Sequence, residues 1–166
     1  QYPEEKFMME DDNLVEILND IANTSKVIKE APITVSLAEK NISALIVNKN
    51  ENIDNFFRSL MVQLIAFHSY EDLKLVFLLD KDEKPNLEYV KLLPHVWDKT
   101  RQIRFFSYDN DEMKDISKYL EMDLQERLEY KDKNYKSFRP YYLIITNNYK
   151  KIENLKIITE ILKTKE

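Results

Sequence analysis

The chain of 166 residues contains no glycine. Ordinary usage of about 7% would place roughly a dozen in a chain this long. A GxxxxGK[ST] phosphate loop is therefore impossible here, as is a GxGxxG dinucleotide turn. Both need backbone torsions, and a close approach to phosphate, that a β-carbon obstructs. Collagen-like chains and flexible Gly-rich linkers are excluded too. Wherever this chain turns sharply, residues with side chains must make the turn.

Apolar residues make up 43% of the chain and charged residues 33%, enough apolar material for one core at a length that suits one domain. The net charge of −5 argues against a general nucleic-acid surface, which needs a basic face to displace counterions from phosphate. With no cysteine there is no disulfide framework and no thiolate metal site. No apolar run approaches the roughly 20 residues of a membrane span, and no signal peptide is visible. The chain opens on Gln1 and stops within a helical pattern at Lys163–Glu166. It reads as a piece of something larger.

Residues 1–12 are acidic and aperiodic and read as a linker, leaving 13–166 as a single domain. Leu14, Ile17, Leu18, Ile21 and Ile28 recur at helical spacing, predicting a helix over 12–29 that Pro32 stops. The alternation Ile33, Val35, Leu37 predicts a half-buried strand, and the apolar run Ala44–Val47 a strand buried on both faces. Strand and helix then alternate. Ile53, Phe56, Phe57, Leu60, Leu64 and Phe67 mark a helix face, Leu73–Leu79 a buried strand, and Asn86–Leu93 a short helix stopped by Pro94. Ile103–Tyr108 reads as a strand, Met113–Leu128 as a long helix, Tyr141–Thr146 as a further buried strand, and Leu155–Leu162 as a closing helix. This order implies an α/β fold of three layers, a mostly parallel sheet with helices on both faces.

Ligands of open parallel sheets sit beyond the carboxyl ends of the strands. After Val47 the chain reads Asn48-Lys49-Asn50-Glu51-Asn52-Ile53-Asp54-Asn55. Glu51 and Asp54 repel phosphate, and Lys49 lies too early to reach outer phosphates, so an Asn-rich turn with a helix cap is the favoured reading. Asp80, Asp82 and Asp109 follow two other strands and could gather Mg²⁺ for phosphoryl transfer. Aspartates at helix starts are ordinary caps, however. After Thr146 stand Asn147 and Asn148, where an ATPase needs an acidic pair for metal and water. His68 and His95, without a third ligand at metal spacing, suit core or turn roles. Ser59, Ser69 and Ser107 lack the glycines of a nucleophile elbow. Trp97, Tyr70 and the Tyr130–Tyr135 stretch are candidates for an exposed interface, with His95 beside Trp97.

Two segments, LIVNKNENIDNFFRSLMVQLIAFHSYEDLKLVFLLDKDEK (Leu45–Lys84) and LLPHVWDKTRQIRFFSYD (Leu92–Asp109), carry a family likeness. With KEAPITVSL (Lys29–Leu37) and the Leu93-Pro94-His95 motif, they resemble the membrane-bound FtsK/SpoIIIE-type ATPases of type VII secretion systems, in their firmicute, EssC-like branch. The likeness covers about residues 28–162.

The resemblance implies the first, membrane-proximal module of several ATPase-like modules, with a RecA-like fold lacking its phosphate loop. It implies a position on the cytoplasmic face of the bacterial membrane. Asn48, Lys49, Asp54 and Asn55 then occupy the phosphate-loop position, and Asn147 and Asn148 that of the acidic pair. The module is expected to be non-catalytic and without cofactor, assembling or regulating active ATPase modules of the same chain. Its partners would be those modules, membrane components of the secretion system and secreted helical substrates, with homo-oligomerisation in the full-length protein. Two other functions remain open: a metal-dependent phosphoryl-transfer enzyme using Asp80, Asp82 and Asp109, and a docking module working through Trp97.

Overall fold

A computed structural model describes residues 13–24, 34, 36–37, 39, 42–48, 52–83, 85–131 and 139–163. The chain divides into two units, Gln1–Glu39 and Lys40–Glu166. In the first lies helix α1, Leu14–Thr24, with its apolar residues at helical spacing. The rest of the helix expected over 12–29, and the linker 1–12, lie outside the described residues. So do Ile33 and Val35; Thr34, Ser36 and Leu37 belong to no strand.

The second unit is built on a three-stranded sheet of order β2-β1-β3, comprising β1 (Leu73–Leu78), β2 (Phe106–Ser107) and β3 (Tyr141–Ile145). Both ladders are parallel. Leu73 to Phe77 register against Tyr141 to Ile145, and Phe77 and Leu78 against Phe106 and Ser107. Central β1 is buried along its whole length, Lys74 included, as a strand between two neighbours should be. β2 and β3 are the two edges: β2 is buried, whereas in β3, expected to be a buried strand, Tyr141 is exposed and the other residues are half-buried.

Successive residues of β1 feed opposite cores, because side chains alternate across a strand. Leu73, Leu75, Phe77 and Leu79 pack with Met61, Leu87, Val90 and Val96. Val76 and Leu78 pack with Met113, Ile116, Leu120, Ile157 and Ile158. Helix α2, Ile53–Phe67, therefore covers one face, while α3 (Asn110–Lys131) and α5 (Lys156–Lys163) cover the other. Each fully enclosed Leu, Val or Phe contributes about 1.5–3 kcal/mol relative to exposure. A short helix, α4 (Tyr149–Ile152), links β3 to α5 and buries Ile152.

The helix boundaries follow local chemistry. The Asn52 side chain accepts from the Asn55 backbone N–H at 3.3 Å and caps α2, with Asp54 in its first turn offsetting the dipole. At the base of the sheet, Ser69 donates to Asp72 at 2.8 Å, and the Tyr141 N–H bonds the Asp72 carbonyl at 2.8 Å. That pair of contacts aligns the starts of β1 and β3.

Three expected elements differ. Ala44–Val47 forms no strand: residues 42–46 are exposed, Ile46 at 94%. An apolar run becomes a buried strand only where a neighbour supplies backbone partners, and the sheet closes on β2, β1 and β3 without it. Over 86–93 the chain forms a 3₁₀ turn at Glu88–Leu92 rather than an α-helix, and Pro94 begins a second turn, Pro94–Val96, instead of ending structure. Proline lacks only an N–H that a first helical position leaves unpaired anyway. Of the strand expected over 103–108, only Phe106 and Ser107 pair with β1 in the ladder. Ile103–Phe105 folds back against Val96–Asp98, with Trp97 and Arg104 bridged antiparallel. Phe67, placed on the apolar face of α2, is 80% exposed beside its end.

Candidate functional site at the carboxyl end of the sheet

At the carboxyl end of the strands, side chains hold neighbouring loops together. Asn147, just past β3, accepts from the Asp80 N–H at 2.7 Å and donates to the carbonyls of Asp80 at 2.9 Å and Glu83 at 3.0 Å. Asn148 donates to the Asp80 carboxylate at 3.1 Å. A carboxyl group cannot reproduce this pattern, because only an amide offers both an acceptor and two donors. The Lys151 ammonium donates to the Tyr108 carbonyl at 2.8 Å, drawing α4 onto the end of β2.

The acidic residues here are engaged locally. Asp80 accepts from the Asp82 N–H at 3.2 Å, and that bond is the main cause holding its carboxyl below the ordinary value, with Lys151 and Asn148 adding to it. Asp109 caps α3, accepting from the N–H groups of Glu112 at 3.1 Å and Asp111 at 2.8 Å, and these bonds lower its carboxyl as well. The Ser107 hydroxyl donates to Glu112 at 2.7 Å. Asp80, Asp82 and Asp109 are not gathered into a metal-holding group; among the described residues there is none.

The amino end of α2 reaches the same region: Asp54 accepts from the Asn86 N–H at 3.3 Å in the loop after β1. Asn55 contributes its backbone to the α2 cap, and Asn48 is exposed; Lys49 lies outside the described residues. Thus Asp54, Asn147 and Asn148 each bond to the loop that follows β1, Asp54 doing so without the preceding strand expected over Ala44–Val47. A groove of about 530 Å³ lies elsewhere, between α3 and the α4–α5 segment, over Met113, Ser117 and Leu155. Lysines on its rim pair with acids, Lys114 with Asp111 at 2.8 Å and Lys156 with Glu121 at 3.6 Å.

The second candidate region is the Trp97 hairpin. Trp97 is half-buried, with the Arg104 guanidinium 4.4 Å from its ring centre. A cleft of about 270 Å³ is lined by Leu92, Pro94, Trp97 and Arg101. His95 is buried: its Nε2 bonds the His68 carbonyl at 2.9 Å, and Tyr70, itself 46% exposed, meets its ring edge-on. Trp97 and Tyr70 therefore reach the surface while His95 ties the 3₁₀ turn to the end of α2. Tyr130 ends within α3, and Tyr135 lies outside the described residues.

Asp98 organises this hairpin and was not singled out by the sequence reading. Its carboxylate accepts from the N–H groups of Thr100 at 3.0 Å, Gln102 at 2.8 Å and Ile103 at 2.9 Å, and from the Thr100 hydroxyl. Burial pushes the carboxyl up, but these bonds together outweigh it and hold it below the ordinary value. Asp98 and Thr100, with their short polar side chains, are the signal of such a turn. Arg101 follows at φ 57°, the left-handed region that glycine usually fills. For a residue with a β-carbon this costs about 1–2 kcal/mol. No residue pattern marked Arg101 beforehand.

The class these features define is an α/β domain with a small parallel sheet, whose strand ends are joined by amide side chains. Comparison with known proteins gives the relationship. The chain is 31% identical over 139 residues, 82% of its length, to the ESX secretion system protein YukB of Bacillus subtilis. It is 28% identical over 136 residues, 81% of its length, to the ESX secretion system protein EccC of Geobacillus thermodenitrificans. It is 26% identical over 128 residues, 77% of its length, to the type VII secretion system protein EssC of Staphylococcus aureus. The chain is a relative of these type VII secretion system proteins and corresponds to one segment of them. It spans 8–9% of their length. No protein-family model matches the chain, and no solved structure does. Among the described residues, no helix is long and apolar enough to cross a membrane.

Proposed function

We propose that the chain is a non-catalytic, RecA-like module of a type VII secretion motor, the first of several ATPase-like modules. It assembles and positions the active modules at the cytoplasmic face of the membrane. The observation that carries this reading is the engagement of Asn147. In an ATPase the end of such a strand presents carboxylates to metal and water. Here the Asn147 amide is spent on the backbone of Asp80 and Glu83. The absence of glycine removes the phosphate-cradling loop independently. In this reading residues 13–166 act as one domain, whose partners are neighbouring modules and membrane components of the same machine.

Isothermal titration of the chain with Mg-ATP tests the proposal. The expected result is no saturable heat; micromolar binding overturns the non-catalytic assignment. The metal-enzyme reading finds less support, because Asp80 and Asp109 bond to nearby backbone amides rather than converging on a shared site.

A further inference from the structure

The Trp97 cleft combines shape, charge and an unusual backbone. Leu92, 88% exposed, and Pro94 supply apolar walls, and Trp97 supplies an aromatic one. Lys99, Arg101 and Arg104 place three cations within six residues of a chain whose net charge is −5. Their one acidic neighbour in the turn, Asp98, is buried and bonded inward. Among the described residues, none of the three cations has an acidic partner at ion-pair distance. The strained residue, Arg101 at φ 57°, is one of the four residues that line the cleft. A backbone outlier at a concave surface points to a side chain kept for contact rather than for the turn.

We propose that this cleft docks an acidic protein segment carrying one bulky apolar side chain. The apolar group enters between Leu92, Pro94 and Trp97, while flanking carboxylates meet Arg101 in the lining and Arg104, whose guanidinium lies over the Trp97 ring. The volume of about 270 Å³ suits a single side chain, and the three cations set the sign of the partner's charge. This role goes beyond the module's proposed place in the motor and stands whether or not nucleotide binds.

Trp97 is the chain's single tryptophan, so its emission reads the cleft directly. The test titrates the chain with a synthetic Glu/Asp peptide carrying one Phe. Two controls replace the acids by lysine or the Phe by Ser. A saturable change with the first peptide alone, weakened by added salt, is expected. Arg101→Gly should raise the melting temperature yet weaken binding about tenfold, a combination that a purely structural arginine does not produce. Leu92→Ser, at an exposed position, should leave the melting temperature unchanged and also weaken binding. No saturable response, an equal response to either control, or undiminished binding by Arg101→Gly overturns the proposal. So does a response only to phosphatidylglycerol vesicles, which would assign the cations to a membrane surface.

Discussion

The sheet's carboxyl end and the Trp97 hairpin solve the same problem in different ways. Each must reverse or terminate the chain without glycine. At the sheet end, side-chain amides and carboxylates satisfy the loop backbone, with Asn147 spanning from β3 to the residues that follow β1. In the hairpin, Asp98 bonds the backbone of its own turn, and Arg101 accepts a left-handed torsion beside an accessible cleft. The first arrangement spends its polar groups internally. The second leaves Leu92, Pro94, Trp97 and Arg101 lining a cleft open to something outside. Lack of glycine thus does not decide whether a loop is occupied by its own contacts or available to a partner; the side chains that replace it do.

The largest effect separating the two regions is expected at Asp98. Asp98→Ala leaves several turn N–H groups without their carboxylate, and urea unfolding should show a loss of about 3 kcal/mol. Asn147→Ala should cost about 2 kcal/mol in the same measurement. If the order reverses, the sheet end rather than the hairpin is the more heavily stabilised loop.

Acid acts on both regions. The carboxyls of Asp98, Asp80 and Asp109 are all held below the ordinary value. Each favours the folded state once deprotonated, so that stability is present above the ordinary aspartate range and lost as pH falls through the lowered values. Unfolding free energies measured between neutral and acid pH should fall with acid, and Asp98→Asn should flatten part of that slope. A smaller change is expected from Arg104→Ala, which removes the cation above Trp97: about 0.5–1 kcal/mol, with altered Trp97 emission. Smallest of all, Ile46→Ser should change stability by less than about 0.5 kcal/mol, because Ile46 is 94% exposed.

The sequence disclosed the central architecture because periodicity and burial agree there. Ile53–Phe67 is the helix that its apolar spacing marks, and Leu73–Leu78 is buried throughout, with Lys74 the one charged residue in its apolar run. The same rule failed at Ala44–Val47, since an apolar run does not reveal whether a neighbouring strand offers its backbone. Likewise, the six residues 103–108 read as one strand, but Asp98 takes the N–H of Ile103 and bends that stretch into the hairpin. For the site, position was legible and engagement was not. Asn147 and Asn148 could be placed at a strand end, but their bonds to Asp80 depend on residues 67 and 68 positions away. Arg101 gave no signal, because its torsion is set by the closure of a turn rather than by its own preference.

The register of the sheet also has a consequence for synthesis. Leu73 lies opposite Tyr141, and Phe77 opposite Phe106 and Ile145. As the chain leaves a ribosome, the apolar strand β1 emerges long before either parallel neighbour exists to pair with it. The α2–β1 segment can bury one face early, but the other waits for α3 and then α5. Such delayed, non-local pairing slows folding and exposes intermediates to aggregation. The order of translation therefore leaves the strand that is buried throughout the finished sheet uncovered in the nascent chain.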